Sequence, residues 1–255
     1  MATTDTIRRR SAGRPRILAH LGLILLGLVM IYPLIWTFSS SFKPTNEIFS
    51  SPGLCSENFT AVNHAEGWTA LAHPFHHYIL NSLVVVAGSI VGNLLACSLA
   101  AYGVARLQFR GKKLWFAIML GTIMLPIHVV IVPQYILFSQ LDRINTYWPL
   151  IVPKLLATDA FFVFLTVQFI RGIPRELDEA ARIDGCGHTG IFWRIIMPMS
   201  LPALATTAIF TFIWTWNDFF SQLIFLTDPD MYTVPVALRT FVDATSQTPW
   251  GPAQR

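Results

Sequence analysis

Residues 173–198, "IPRELDEAARIDGCGHTGIFWRIIMP", form the most polar continuous run of the chain, and their chemistry favours contact with a partner. Opposite charges stand four residues apart in two pairs, Arg175 with Glu179 and Asp178 with Arg182. Such pairs stabilise a short surface helix. A catalytic reading would need His, Asp or Ser side chains that converge at helix ends, and the sequence offers no such cluster. The chain is therefore predicted not to be an enzyme.

The same run carries signals for a helix, a turn and a second helix. Pro174 suits the first helical position, where its missing N–H costs nothing. Gly185 is suited to end the helix and Gly187 to permit a sharp reversal. Thr189 can then cap a second helix, "GIFWRIIM", that leads into the last apolar segment.

Two interpretations of this first helix stay open, a simple connection and a docking element. Ala180 and Ala181 form a small-residue patch that another backbone could approach closely. Leu177 and Ile183 add apolar atoms that a solvated connector does not need. These four residues favour docking into a groove of a partner.

Polar residues also interrupt the last apolar segment, at "TWNDFF". Ionisable residues inside a membrane segment are functional candidates by default. Asn217 and Asp218 could cap or pack a helix, act in gating, or contact a solute. Trp216 and Phe220 are four residues apart on one face and could offer a stacking surface, so these four residues are the candidates for a translocation pathway.

The sequence offers little for a metal or a nucleotide. No G-x-x-x-x-G-K-[ST] phosphate loop occurs, so any active transport must be driven by a partner or an ion. His73, His76 and His77 cluster beside Pro74 and Phe75, where an interfacial role is favoured over metal binding. No metal site is therefore predicted.

The elements that carry these residues are long apolar segments. The composition is 53% hydrophobic and only 13% charged, and the apolar residues are grouped in blocks. A membrane-spanning helix needs about 20 mostly apolar residues. The predicted fold is an all-α, polytopic membrane bundle rather than a soluble protein with five buried helices, with spans at 17–38, 78–105, 114–138, 147–170 and 203–226.

The basic residues predict how the bundle is oriented. They concentrate in 1–16, 106–113 and 171–194, whereas the intervening loops hold only Lys43 and Arg143. Because cytoplasmic loops are enriched in Lys and Arg, the N-terminus and the charged run are predicted to be cytoplasmic. The net charge of +4 is then a signal of topology, and no nucleic-acid partner is expected. Residues 1–16 are predicted to be a basic cytoplasmic tail, and residues 17–255 a transmembrane domain.

The charged run resembles the E-A-A-x-x-x-G-x9-I-x-L-P loop of the permeases of ABC importers. Further stretches in the same order resemble the carbohydrate-uptake branch, in particular its second, maltose-type permease subunit: "YPLIWTFSSSFKP", "NSLVVV", "MLPIHVVIVPQYILF" and "WNDFF". Met197 replaces the usual Leu of the loop. The matching positions are Glu179, Ala180, Ala181, Gly185, Ile195 and Pro198.

This resemblance implies one permease subunit of an ATP-driven, binding-protein-dependent sugar importer in the inner membrane of a prokaryote. The implied partners are a second permease in a heterodimer, a cytoplasmic ABC ATPase dimer and an extracytoplasmic sugar-binding protein. ATP and Mg²⁺ would be used by the ATPase, and this chain would bind no cofactor. Within the loop 171–198, the implied ATPase-coupling residues are Glu176, Asp178, Glu179, Ala180, Ala181, Arg182, Asp184, Gly185, Ile195 and Pro198.

The sequence departs from the family at its end. The family's second subunits usually have six spans, and this sequence stops after "TPWGPAQR", where the sixth would begin. A truncated chain and a genuine five-helix variant both stay open. The competing functional class is an ion-coupled secondary carrier or a channel subunit, which would need charges at the midplane of several helices.

Overall fold

A computed structural model describes residues 13–44, 53 and 59–246, and the described residues are helical without a strand. Residues 1–12 of the predicted tail lie outside the described residues. The chain divides into two units, Met1–Thr69 and Ala70–Arg255.

The first unit contains two helices, α1 (Gly13–Ser40) and α2 (Val62–Thr69). The apolar part of α1, Ala19–Ser40, is 22 residues long and hydrophobic enough to span a membrane. Beyond α1 the chain turns back on itself, and the Asn63 side chain donates to the Lys43 carbonyl at 2.7 Å.

The second unit is built from helices of very unequal length. The long elements are α3 (Phe75–Arg106), α4 (Lys112–Thr122), α5 (Ile127–Gln140), α7 (Ala160–Gly172), α11 (Leu201–Trp216) and α13 (Val234–Ser246). The short ones are α6 (Trp148–Leu155), α8 (Glu176–Ile183), α9 (His188–Ile191), α10 (Met197–Met199) and α12 (Phe219–Phe225). A π-helical turn, Phe192–Ile196, joins α9 to α10, and a 3₁₀ turn, Pro229–Met231, precedes α13.

Helix α3 is the centre of this unit, with α6, α7 and α11 packed against it. Its buried residues include many small ones, among them Ser82, Ser89 and Gly92. Small residues let membrane helices approach closely, because no hydrophobic effect drives one apolar helix onto another within lipid. At Gly92 the approach is so close that an added Cβ would lie 3.1 Å from the backbone nitrogen of Leu155.

The structure contains three membrane-length helices among the described residues: Ala19–Ser40, Phe75–Arg106 and the stretch Trp148–Gly172. The number is five if each of two bent pairs counts as one span, as the sequence predicted. The predicted third span is α4 and α5 at 101°, with Pro126 directly before α5. Proline restricts the residue before it to extended backbone, which ends a helix.

The predicted fifth span, 203–226, is wrong in its bounds. The bent pair is His188–Met199 with Leu201–Trp216, at 73°, and α11 ends at Trp216. Residues 219–225 form the separate helix α12, because the Asp218 side chain accepts a hydrogen bond from the Ser221 backbone N–H and starts a new helix there.

Candidate functional site

The charged run folds as the predicted helix–turn–helix, with small shifts at its helix starts. Helix α8 begins at Glu176, two residues after Pro174, and α9 begins at His188 rather than after a cap at Thr189. At the turn, Gly185 has φ = +80°, which glycine adopts without strain. The N–H of Cys186 donates to the Ala181 carbonyl at 2.8 Å, a bond that closes the helix end.

Helix α8 has two faces with different surroundings. Asp178 and Ala181 are buried, whereas the opposite side of the helix carries exposed residues. We call that exposed side the coupling face, and it consists of Glu176, Glu179, Ala180 and Ile183. Its apolar member, Ile183, is 86% exposed, which is unusual for a large aliphatic side chain on a helix that also buries a carboxylate.

The remaining predicted coupling residues divide between exposed and shielded positions. Arg182, Asp184, Gly185 and Pro198 are exposed, and Ile195 is half-buried. Asp178 and Ala181 were expected to meet the partner, but they face the interior of this chain. Of the two alanines in the predicted small-residue patch, only Ala180 is exposed.

Asp178 holds α8 against the end of α3. The Nε atom of Arg106 lies 3.3 Å from Oδ2 of Asp178, and the two side chains are only 3% and 9% exposed. A second guanidinium nitrogen of Arg106 donates to the Ile173 carbonyl at 2.8 Å. The predicted helix-surface pair of Asp178 with Arg182 is thus replaced by a buried pair, and no ion pair joins Arg175 to Glu179 in the described part of the chain.

A second contact fixes the return of the loop to the same end of α3. The Tyr102 hydroxyl donates to the His188 carbonyl at 3.2 Å, and its ring lies 5.3 Å from the Phe192 ring. Ile191 and Phe192 are fully buried in the core that also contains Ala181. The loop is therefore packed onto this end of α3 within the second unit.

The residues proposed for the pathway make local contacts. The Asn217 amide donates to the Ile213 carbonyl at 2.7 Å, and Asp218 caps α12. The rings of Trp216 and Phe220 have different partners: Trp216 stacks on Phe212, while Phe220 meets His128 edge-on. The described contacts thus favour the capping interpretation and do not join these two rings into one stacking surface.

A polar cluster inside the membrane segments, with a buried Asn93 and a partly exposed ion pair, was missed by the sequence interpretation. Lys154 and Asp159 form an ion pair at 2.9 Å between α6 and α7. Asn93 of α3 donates to Asp159 at 2.7 Å and to the Thr211 hydroxyl of α11 at 3.0 Å. The sequence did contain a signal for this cluster, since Lys154 and Asp159 are charged residues within an apolar segment. Such residues are rare in membrane segments and are functional candidates by default.

Comparisons with known proteins agree with this architecture. The model of the family described as the binding-protein-dependent transport system inner membrane component matches residues 92–252. A probable ABC transporter permease, YurM of Bacillus subtilis, is 36% identical over 90% of this chain and 75% of its own length. The diacetylchitobiose uptake permease NgcG of Streptomyces coelicolor is 32% identical over 89% of this chain and 74% of its own.

Two further similarities extend over most of the chain. The trehalose/maltose transport permease MalG of Thermococcus litoralis is 32% identical over 92% of this chain and 84% of its own length. A crystal structure of a bacterial ABC transporter that imports the acidic polysaccharide alginate contains a chain that matches with a TM-score of 0.76. That match has 21% sequence identity and covers 93% of this chain and 82% of the other, so it shows the fold.

The helical membrane fold, the family model and the relatives together define the permease component of an ABC transport system. The chain belongs to the family of binding-protein-dependent transport system inner membrane components. The predicted all-α membrane fold and the family are confirmed, and the ion-coupled carrier or channel finds no support. The relatives are transport subunits rather than enzymes.

Proposed function

We propose that this chain is one permease subunit of an ATP-driven importer of sugars, and that the coupling face of α8 docks into a cytoplasmic ABC ATPase. The relatives named for diacetylchitobiose and trehalose/maltose support a sugar substrate. The observation that carries the proposal is the two-faced helix α8, which is anchored to α3 on one side and exposed on the other.

The coupling face has the chemistry of a docking surface. An exposed Ile183 beside the small Ala180 offers an apolar contact that fits a groove, because burial of an aliphatic side chain is favourable by about 1.5–3 kcal/mol. Glu176 and Glu179 flank this contact and would orient the helix against basic groups of the partner. Charged rims of this kind set register and association rate more than affinity.

Movement of α8 has a direct route into the membrane helices. The Arg106–Asp178 pair and the Tyr102–His188 bond both join the loop to one end of α3. Because α6, α7 and α11 all pack on α3, a displacement of α8 would be passed to the centre of the unit. The ATPase would use ATP and Mg²⁺. This chain would pass the displacement of α8 to its membrane helices and would bind no cofactor of its own.

The same contacts support the proposed orientation. Helix α8 meets α3 at Arg106, directly before the basic loop that contains Arg110, so two basic stretches lie at one end of the second unit. By the enrichment of Lys and Arg on the inner side, that end is cytoplasmic. By the same rule, the basic residues within 1–16 support a cytoplasmic location for the N-terminal tail, with residues 17–255 as the permease domain.

The remaining partners follow from the importer class. A second permease would complete the translocation pathway as a heterodimer, each subunit forming half, and an extracytoplasmic binding protein would deliver the sugar. The family description and the relatives' names support these assignments, since binding-protein dependence is part of the description.

The test is the coupling of ATP hydrolysis to uptake in vesicles that contain the assembled importer. Ile183→Asp should lower sugar uptake per ATP hydrolysed roughly tenfold or more, as for the loss of a buried apolar anchor. Thr189→Asp, an exposed position of the same loop outside the coupling face, is the matched control and should couple normally. Equal coupling in both variants would refute docking through this face.

A further inference from the structure

Three basic residues that the proposed function does not use lie at the junction of α4 with α7, beside the start of α8. Lys112 is the first residue of α4, Arg171 lies in the last turn of α7, and Arg175 directly precedes α8. We call these three residues the basic cluster. Lys112 is half-buried and both arginines are exposed, so the cluster combines a shielded ammonium with two accessible guanidinium groups.

Contacts with the end of α3 bring the cluster together. The Lys112 ammonium donates to the Leu107 carbonyl at 2.8 Å. The neighbouring Arg106 donates to the Ile173 carbonyl, also at 2.8 Å. Ile173 lies two residues from each arginine of the cluster. The stretch that carries the arginines and the start of α4 are therefore held side by side.

Arg171 lies against the face of α4 that carries Lys112. Its guanidinium carbon is 5.1 Å from the centre of the Phe116 ring. Phe116 follows Lys112 by four residues, so the two side chains are neighbours on one face of the helix. The Phe116 ring also lies 6.3 Å from the Phe164 ring of α7, which joins the two helices at this point.

The described residues do not neutralise the charge of the cluster. None of the ion pairs among them includes Lys112, Arg171 or Arg175. Burial lowers the pKa of the Lys112 ammonium, and the charges of Arg171 and Arg175 lower it further. Like charges held this close repel one another, and an anion bound among them offsets that repulsion. The cluster is therefore suited to an anionic ligand.

The apolar residues beside the cluster indicate where such an anion comes from. Leu114, Trp115 and Ile118 of α4 are all exposed. The Trp115 indole lies beside the start of the helix, because a Cβ added at Gly111 would be 3.6 Å from its Nε1. Tryptophan at the end of an apolar helix is typical of the membrane–water interface. The cluster therefore lies at the level of the lipid headgroups.

We propose that the basic cluster binds the phosphate of an anionic phospholipid in the adjacent leaflet of the membrane. Guanidinium groups bind phosphate through paired hydrogen bonds, and the ammonium adds a point charge. Basic pockets between membrane helices bind anionic headgroups in this way. The acyl chains lie along Leu114 and Ile118, a contact that a free phosphate does not make. This binding depends neither on the sugar nor on the docking of α8, so it goes beyond the proposed function.

The test measures lipid binding to the purified importer complex in detergent micelles that contain phosphatidylglycerol or phosphatidylcholine. Bound lipid is counted by native mass spectrometry over a range of lipid concentrations. Lys112→Gln with Arg171→Gln removes two charges of the cluster. Arg110→Gln with Lys113→Gln is the matched control, because it removes the same charge from exposed residues of the same loop.

Phosphatidylglycerol should bind to the parent and to the control variant with equal affinity, and phosphatidylcholine should bind more weakly. The cluster variant should bind phosphatidylglycerol about tenfold or more weakly than the parent, since two basic contacts with the headgroup are lost. Equal weakening in the two variants would show a diffuse attraction and overturn the site. Equal binding of the two lipids by the parent would overturn the recognition of an anion.

Two further outcomes would assign the cluster to a different ligand. If inorganic phosphate at the same concentration displaced the lipid, the ligand would be a soluble anion and the proposal would be wrong. If the cluster variant kept its lipid but lost the ATPase from the complex, the cluster would be a contact of the ATPase. Should the cluster variant fail to assemble, Arg175→Gln is compared with Arg110→Gln by the same criteria.

Discussion

Arg106 and Asp178, at the end of α3 and within α8, lie with Nε and Oδ2 3.3 Å apart, and the pair is almost fully shielded from solvent. This contact joins the loop that faces the proposed ATPase to the helix on which the rest of the second unit packs. A docking surface alone could bind the ATPase without transmitting its movement to the membrane helices. The pair supplies the mechanical link that the proposed mechanism requires.

Removal of one member of this pair should destabilise the subunit. An unpaired buried charge costs about 3–5 kcal/mol, whereas an apolar replacement of both members is often close to neutral. We therefore expect Asp178→Leu to lower the melting temperature of the purified complex, and Arg106→Met with Asp178→Leu to recover most of the loss. The exposed Asp184→Leu is the control, and a single Asp178 variant as stable as this control would contradict the buried pair.

Replacement of Gly185 should weaken association with the ATPase. A residue with a Cβ at φ = +80° is strained by about 1–2 kcal/mol, so Gly185→Val should distort the end of α8 and reduce co-purification of the ATPase. Gly187→Ala is the matched control, because Gly187 has φ = −75° and open space around its Cβ position. Equal yields of ATPase from the two variants would show that the turn is not needed.

The two adjacent alanines of α8 should respond differently to the same enlargement. Ala180→Leu should leave the melting temperature unchanged and reduce coupled transport, because Ala180 is exposed on the coupling face. Ala181→Leu should instead lower the melting temperature by overpacking, at a cost of about 1–3 kcal/mol. If the two variants had the same defects in stability and coupling, the assignment of Ala180 to the exposed face and Ala181 to the buried face would be contradicted.

Charge reversal on the coupling face should uncouple the importer without loss of protein from the membrane. Glu179→Lys places a cation where the proposed docking surface carries acid, and ATP hydrolysis should continue while uptake falls. Glu179→Gln should retain most of the uptake. Full uptake by the Glu179→Lys variant in reconstituted vesicles would contradict the proposed electrostatic contact of Glu179 with basic groups of the ATPase.

The close contact between α3 and α6 should make Gly92 intolerant of any side chain. Gly92→Ala brings a Cβ to 3.1 Å from the Leu155 nitrogen, and backbone cannot move aside as a flexible side chain can. The variant should lose about 1–3 kcal/mol of stability. Gly103→Ala, on the same helix with open space at its Cβ, should be neutral or stabilising.

Local sequence signals predicted the elements well. The acidic first turn, the alanines and Gly185 all act within a few residues of one another, so α8 and its turn could be predicted from spacing alone. The apolar blocks likewise placed five spans. An apolar block in the sequence shows composition but not the direction of the chain. It therefore did not predict the bends at Pro126 and after Met199, or the end of α11 at Trp216.

Long-range partners were not predictable in the same way. Asp178 has a nearby cation in sequence, Arg182, and nothing local indicates that it pairs instead with Arg106 on another helix. The cluster of Lys154, Asp159 and Asn93 is likewise assembled by packing of α3 against the broken span. Two charges in one apolar segment indicate function, but only the fold shows that they meet.

Cross-linking from Ile183 tests the central claim most directly. In the assembled importer with Cys55→Ser and Cys186→Ser, Ile183→Cys is modified with a photoactivated benzophenone and compared with buried Ala181→Cys after the same treatment. If α8 docks as proposed, Ile183→Cys forms a covalent adduct with the ATPase subunit, and Ala181→Cys forms little or none. An adduct of Ile183→Cys with lipid or an extracytoplasmic protein, and none with the ATPase, would contradict it.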